Sequence, residues 1–118
     1  MGDKMASIEV PKELVDKVYE AIETAKTSGK IKKGTNETTK AIEKGKAKLV
    51  AIAKDVTPPE ITMHIPMIAE EKDVPCFTVP SKEELGAAAG IQVGTGSVVI
   101  TEEGEAKNIV KEVINKAK

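Results

Sequence analysis

The chain has 118 residues, 40% hydrophobic and 31% charged, which suits one folded domain, residues 1–118, with its own core rather than a disordered segment. One cysteine excludes an internal disulfide and fits a reducing compartment, and one histidine with one cysteine excludes an all-His/Cys zinc site. The net charge of −1 hides an uneven distribution: residues 30–54 carry eight lysines against Glu37 and Glu43, a surplus of +6, so the remainder carries −7. No apolar run is long enough to span a bilayer, and the opening residues carry neither a signal-peptide pattern nor the hydroxyl residue that N-myristoylation requires. A cytoplasmic protein without a membrane partner is expected.

In chain order, Pro11 suits the first turn of a helix, and Leu14, Val15, Val18, Ile22 and Ala25 follow at helical spacing until Gly29. Lys30–Lys33 reads as an edge strand, and a second helix runs from about Asn36 to Glu43, stopping at Gly45. Leu49–Ala53 is a short continuous apolar run, the signature of a strand covered on both faces. Pro58 and Pro59 open a third helix with Ile61, Ile65, Ile68 and Ala69 inward, and Pro66 is expected to bend or split it. Residues 74–79 form the next strand; Ser81 then caps a short helix with Glu84 completing a capping box. The last strand covers residues 97–101, and an amphipathic helix beginning near Ala106 closes the chain. Helices alternating with buried strands predict an α/β fold, a three-layer α/β/α sandwich around a small mixed four-stranded sheet.

The densest polar cluster is Gly34-Thr35-Asn36-Glu37-Thr38-Thr39-Lys40, at the start of the second helix and inside the basic window. A helix start needs one cap residue for folding; this one offers donors and acceptors together at the positive end of a helix dipole. It is not a Walker loop, because no second glycine is followed by Lys-Ser/Thr. The glycine-rich residues 90–96 precede a strand and lack G-x-G-x-x-G spacing, which argues against a dinucleotide site. His64 in a helix pattern and Cys76 in an apolar strand do not suggest a catalytic pair, and no enzyme activity or cofactor is expected.

The chain contains no arginine and no tryptophan, one Tyr and one Phe. A nucleic-acid reader built from it therefore lacks guanidinium forks and stacking platforms. Readout falls to the helix start, to Asn36 and Glu37, and to lysines as point charges. Asn36 and Lys40 share a helix face. A glutamate in a basic patch is unfavourable beside a polyanion unless it accepts a specific hydrogen bond, as from the N–H groups of an exposed guanine. The plainer reading of Glu37, complementing the helix dipole, stands beside that one.

Lys32-Lys33-Gly34-Thr35-Asn36-Glu37-Thr38-Thr39-Lys40, with Lys44-Gly45 and the strand that follows, resembles the signature of the L-seven-Ae family of kink-turn-binding ribosomal proteins, in its archaeal form. His64-Ile65-Pro66, Glu71-Lys72, Val74-Pro75, Ser81-Lys82, Leu85-Gly86 and Ala89-Gly90 match the same family in order, so the resemblance spans nearly the whole chain. It implies binding to kink-turns, bent RNA elements with tandem sheared G·A pairs, in ribosomal RNA, box C/D and H/ACA guide RNAs and ribonuclease P RNA. The implied partners are the large ribosomal subunit and the core proteins of guide-RNA ribonucleoproteins; nothing in the sequence demands a dimer, so a monomer is expected when the protein is free. By the same resemblance Asn36, Glu37 and Lys40 contact guanine edges, and Gly34 and Thr35 allow close backbone approach. Lys33, Lys44 and Lys82 would meet phosphates, and the loop with Ile91, Gln92 and Val93 would cover a flipped-out nucleotide. Some relatives carry Ser-Arg-Pro where this chain has Gln92-Val93-Gly94, which implies a lost phosphate contact and relaxed selectivity among kink-turns. Two readings from other classes remain: a protein-interaction domain whose lysine patch binds acidic partners, and a metabolite-binding domain using the glycine loop.

Overall fold

A computed structural model describes residues 8–9, 12–55 and 60–117. Five strands, β1 (Ile8–Glu9), β2 (Lys30–Lys33), β3 (Leu49–Ala53), β4 (Cys76–Val79) and β5 (Ser97–Glu102), form one sheet in the order β1-β4-β3-β5-β2. The helices are α1 (Lys12–Ser28), α2 (Thr35–Glu43), α3 (Glu60–Glu71), α4 (Lys82–Ala88) and α5 (Lys107–Ala117), the last entered through a 3-10 turn at Gly104–Ala106. β4 pairs in parallel with β1 and β3, while β5 runs antiparallel to both β3 and β2, so the sheet is mixed.

The period of two along each strand divides the core into two layers. Leu49, Ala51, Phe77, Val79, Val98 and Ile100 face α1, α4 and α5, packing on Val18, Ile22, Leu85, Val110 and Val113. Val50, Ile52, Cys76 and Val99 face the other way, against Ile42 of α2 and Ile65 of α3. All five residues of β3 are buried because that strand is central and helices cover both its faces. Ile42 and Ile65 are fully buried, each contributing about 1.5–3 kcal/mol of transfer free energy.

The three-layer α/β/α reading holds, and so do the four expected strands. Three details differ. The fifth strand, Ile8–Glu9, is too short to carry any periodic signal. The strand expected over residues 74–79 begins only at Cys76: Asp73 adopts a left-handed φ of 62° and the Val74 N–H still bonds the Ala69 carbonyl, so the chain is leaving α3 there. α3 is not split at Pro66, since a proline inside a helix removes one rung of the hydrogen-bond ladder and its neighbours carry the rest. Pro11, Pro58 and Pro59 and the side chain of Ile61 lie outside the described residues.

Candidate nucleic-acid interface

The start of α2 is built around Gly34, whose φ of 97° and ψ of 156° belong to a region open essentially to glycine alone. A Cβ placed on Gly34 would meet nothing within 4 Å, so the space above this backbone is open. No side chain caps α2. The contrast with α4 is internal to the molecule: there the Ser81 hydroxyl accepts the Glu84 N–H at 3.2 Å, and Asp55 Oδ1 accepts the Lys82 N–H at 2.8 Å. The cap position is Gly34, which has no side chain to offer, and the threonines within the helix are engaged elsewhere. Thr38 is fully buried and shares a 3.1 Å hydrogen bond with the Ser97 hydroxyl; Thr39 Oγ1 lies 3.1 Å from His64 Nε2 on α3. These two residues tie α2 to the sheet and to α3. Asn36, Glu37 and Lys40 are left exposed, and no described residue forms a hydrogen bond or ion pair with their side chains.

Residues 91–96 lie on α4. The Ile91 N–H bonds the Gly86 carbonyl at 3.0 Å and the Thr95 N–H bonds the Lys82 carbonyl at 3.1 Å. Gly86 and Gly94 are there because of this contact: a Cβ on Gly86 would strike the Val93 carbonyl oxygen, and one on Gly94 would press on the Lys82 stem. The loop therefore presents a fixed tip, with Ile91 half-buried, Gln92 exposed and Val93 71% exposed. Ser97 joins the loop to α2. Its carbonyl accepts both the Gly34 N–H at 2.9 Å and the Thr95 hydroxyl at 3.1 Å, while its own hydroxyl holds Thr38. The uncapped helix start and the apolar loop tip consequently flank one end of the sheet.

Beside this end, a groove of about 570 Å³ runs between α2 and the β2–β5 pair, lined by Glu37, Lys40, Ala41 and Lys44 of α2, by Lys30 and Lys32 of β2, and by Lys46 and Lys48 beyond Gly45. β2 places Lys30 and Lys32 here because Ile31, between them, packs on the opposite core layer. Lys33 has the parity of Ile31 and does not line the groove.

The geometry thus gathers Gly34, Thr35, Asn36, Glu37 and Lys40 on one helix start and Lys82, Ile91, Gln92 and Val93 on one loop–helix unit. It sets Lys33 on the other side of β2 and Lys44 about two turns further along α2. Sequence reasoning counted Thr38 in the polar cluster without a separate role and passed over Ser97 and Asp55, and these three fix the groups in place. Only Ser97 borders an apolar run; Thr38 lies between Glu37 and Thr39, and Asp55 follows Lys54, so neither stands out in the sequence. His64 is engaged with Thr39, and Cys76 is buried on β4, where desolvation pushes its thiol pKa up to about 12 and suppresses the thiolate. Among the described residues, no cluster of three His, Cys, Asp or Glu side chains could hold a metal, and no helix is long and apolar enough to cross a membrane.

Residues 16–110 match the model of the Ribosomal protein L7Ae/L30e/S12e/Gadd45 family. The chain belongs to this family. Among solved structures it is similar to a Giardia lamblia 15.5kD RNA binding protein, with a TM-score of 0.89 and 34% identity over 98% of this chain and 97% of that one. Neither description is that of an enzyme. The family match begins within α1 and ends within α5, so it includes both the α2 start and the loop at residues 91–96.

Proposed function

We propose that this chain is an RNA-binding protein that recognises and stabilises kink-turns through their sheared G·A pairs. The observation that carries the proposal is the state of Asn36 and Glu37: exposed, unspent on any described partner, and set in a lysine-rich surface beside an uncapped helix start. Family membership and the RNA binding named for the Giardia protein support it. Regular A-form RNA hides its purine edges in a deep, narrow groove, and a kink opens that groove. In this reading Glu37 accepts guanine N–H groups, and Asn36 and Lys40 supply hydrogen bonds on the same face. The open space above Gly34 admits the RNA backbone to the free helix N–H groups that begin at Thr35. Lys33, Lys44 and Lys82 meet phosphates, and Ile91, Gln92 and Val93 cover an extruded nucleotide. No bond is made or broken. Binding only the bent form shifts the RNA population toward it, in proportion to the difference in affinity.

Ribosomal RNA of the large subunit, box C/D and H/ACA guide RNAs and ribonuclease P RNA are the proposed hosts of such kinks. The chain would nucleate assembly of the corresponding particles with their core proteins. The test compares an intact kink-turn with one whose G·A pairs are replaced by Watson–Crick pairs, by gel shift at fixed salt. Strong preference for the intact kink is expected, with Asn36→Ala and Glu37→Ala each costing about 1–3 kcal/mol of binding and Lys107→Ala on α5 costing little. Equal affinity for the two RNAs would overturn the proposal in favour of a lysine surface that binds any acidic partner.

A further inference from the structure

The groove between α2 and the β2–β5 pair holds six lysines, Lys30, Lys32, Lys40, Lys44, Lys46 and Lys48, around one concavity, against two carboxylates, Glu37 and Glu102. Only Lys30 is paired among the described residues, to Glu102 at 4.0 Å and well exposed, an arrangement worth little. The other five have no described carboxylate within ion-pair distance. Like charges gathered around a concave wall repel one another and focus the field into it, so the arrangement lowers the free energy of a bound anion and offers the empty fold nothing.

The backbone assembles this set deliberately. Ile31 is held in the core, which turns Lys30 and Lys32 to the groove. Buried Ala41 leaves depth between Glu37, Lys40 and Lys44, which form one stripe along α2. Gly45 takes a φ of 74° and reverses the chain, so that Lys46 and Lys48 return to the groove mouth.

Away from Glu37, the lining offers charge and little else. It contains no aromatic ring and no amide side chain, and the Thr101 hydroxyl is already donated to the Lys30 carbonyl at 3.2 Å. Beyond Glu37 and Lys40, at the end shared with the helix start, the lining is dominated by lysines placed as point charges, which suits phosphates rather than base edges. Glu37 and Lys40 belong both to this groove and to the proposed base-reading face, and from Glu37 to Lys44 the helix rises about 10 Å.

We infer that this groove is a second, base-blind subsite that takes the sugar–phosphate backbone of a duplex arm as it leaves the kink. The inference rests on the RNA reading above and adds Lys30, Lys32, Lys46 and Lys48 to it. Its consequence is that affinity depends on arm length.

The experiment uses two kink-turn RNAs with one common core, one with arms just long enough to hold the kink and one with the arm extended by a helical turn. The full chain is compared with the triple variant Lys32→Gln/Lys46→Gln/Lys48→Gln, folding being checked by circular dichroism. The native chain should bind the extended RNA more tightly and with a steeper salt dependence. The variant should lose at least about tenfold in affinity for the extended RNA at low salt, and its slope of log K against log salt should fall by about 2–3. Equal losses on the two RNAs, or none on either, would overturn the subsite while leaving kink recognition standing. A native chain that does not distinguish the intact kink from its Watson–Crick counterpart overturns the parent reading and this one with it. A variant that loses affinity for polyglutamate but keeps its affinity for the extended RNA assigns the groove to acidic polypeptides and overturns the inference.

Discussion

Thr38 and Ser97 hold the proposed reading face in place, and their coupling can be measured. Both side chains are fully buried and share one 3.1 Å hydrogen bond between α2 and β5. Thr38→Val keeps the shape but leaves the Ser97 hydroxyl buried without its partner, at a cost of about 1–3 kcal/mol. Ser97→Ala is milder, about 0.5–1.5 kcal/mol, because the Thr38 hydroxyl can fall back on the carbonyl of Gly34 one turn earlier in the helix. The double variant replaces both polar groups with apolar ones and should cost less than the sum of the singles by about 1 kcal/mol or more. Urea melts with a common m-value give the four free energies; on a chain of this size, 1 kcal/mol corresponds to about 4 °C in Tm. Additivity within about 0.5 kcal/mol would refute the view that this bond tethers α2 to the sheet.

Gly34→Ala should destabilise the fold by about 1–3 kcal/mol although the added methyl meets no neighbour, since the cost is purely conformational; an unchanged melting curve would contradict the backbone assignment. Gly86→Ala puts a methyl on the Val93 carbonyl and should displace the loop at residues 91–96, visible as amide chemical-shift changes confined to that loop and α4. Val93→Ser should leave stability within about 0.5 kcal/mol, because the side chain is exposed, yet weaken RNA binding; equal affinity would remove Val93 from the interface. The Cys76 thiol pKa is raised by burial from 9.0 to about 12, so the unfolded chain loses this proton first as pH rises. Its contribution is fully present below pH 9 and is lost as pH rises towards 12. Native protein should therefore lose stability more steeply above pH 9 than Cys76→Ala, and parallel pH profiles would contradict the burial.

The fold was legible because burial follows period: the five apolar residues of β3 and the helical spacing in α1 each name their own environment. The same principle explains what was not legible. β1 contributes two residues, too few for a period, and the start of β4 is set by how α3 unwinds at Asp73, a tertiary matter. At the candidate site the sequence displayed a polar cluster but not its division of labour. Thr35, Asn36, Thr38 and Thr39 look alike as letters, yet the partners of Thr38 and Thr39 lie 59 and 25 residues away. The charge surplus over residues 30–54 was equally visible, but the separation of Lys32 from Lys33 depends on which face of β2 Ile31 occupies.

That division explains why α2 is stable with no side-chain cap. A side-chain cap is worth about 1 kcal/mol, and α4 uses one. α2 forgoes it and is held from its inner face, by Ile42 in the core, Thr38 on Ser97 and Thr39 on His64. Burial of Ile42 alone exceeds the missing cap, at about 1.5–3 kcal/mol. The free N–H groups at the helix start are therefore not needed for folding and remain available to an incoming acceptor. Capping them internally would satisfy the helix and block the open space over Gly34. In the proposed complex, an RNA filling this position would act as the missing cap, and part of its binding free energy would be stability the fold left unclaimed. Saturating RNA should then raise the melting temperature through linkage, and the rise should shrink when Asn36 and Glu37 are removed.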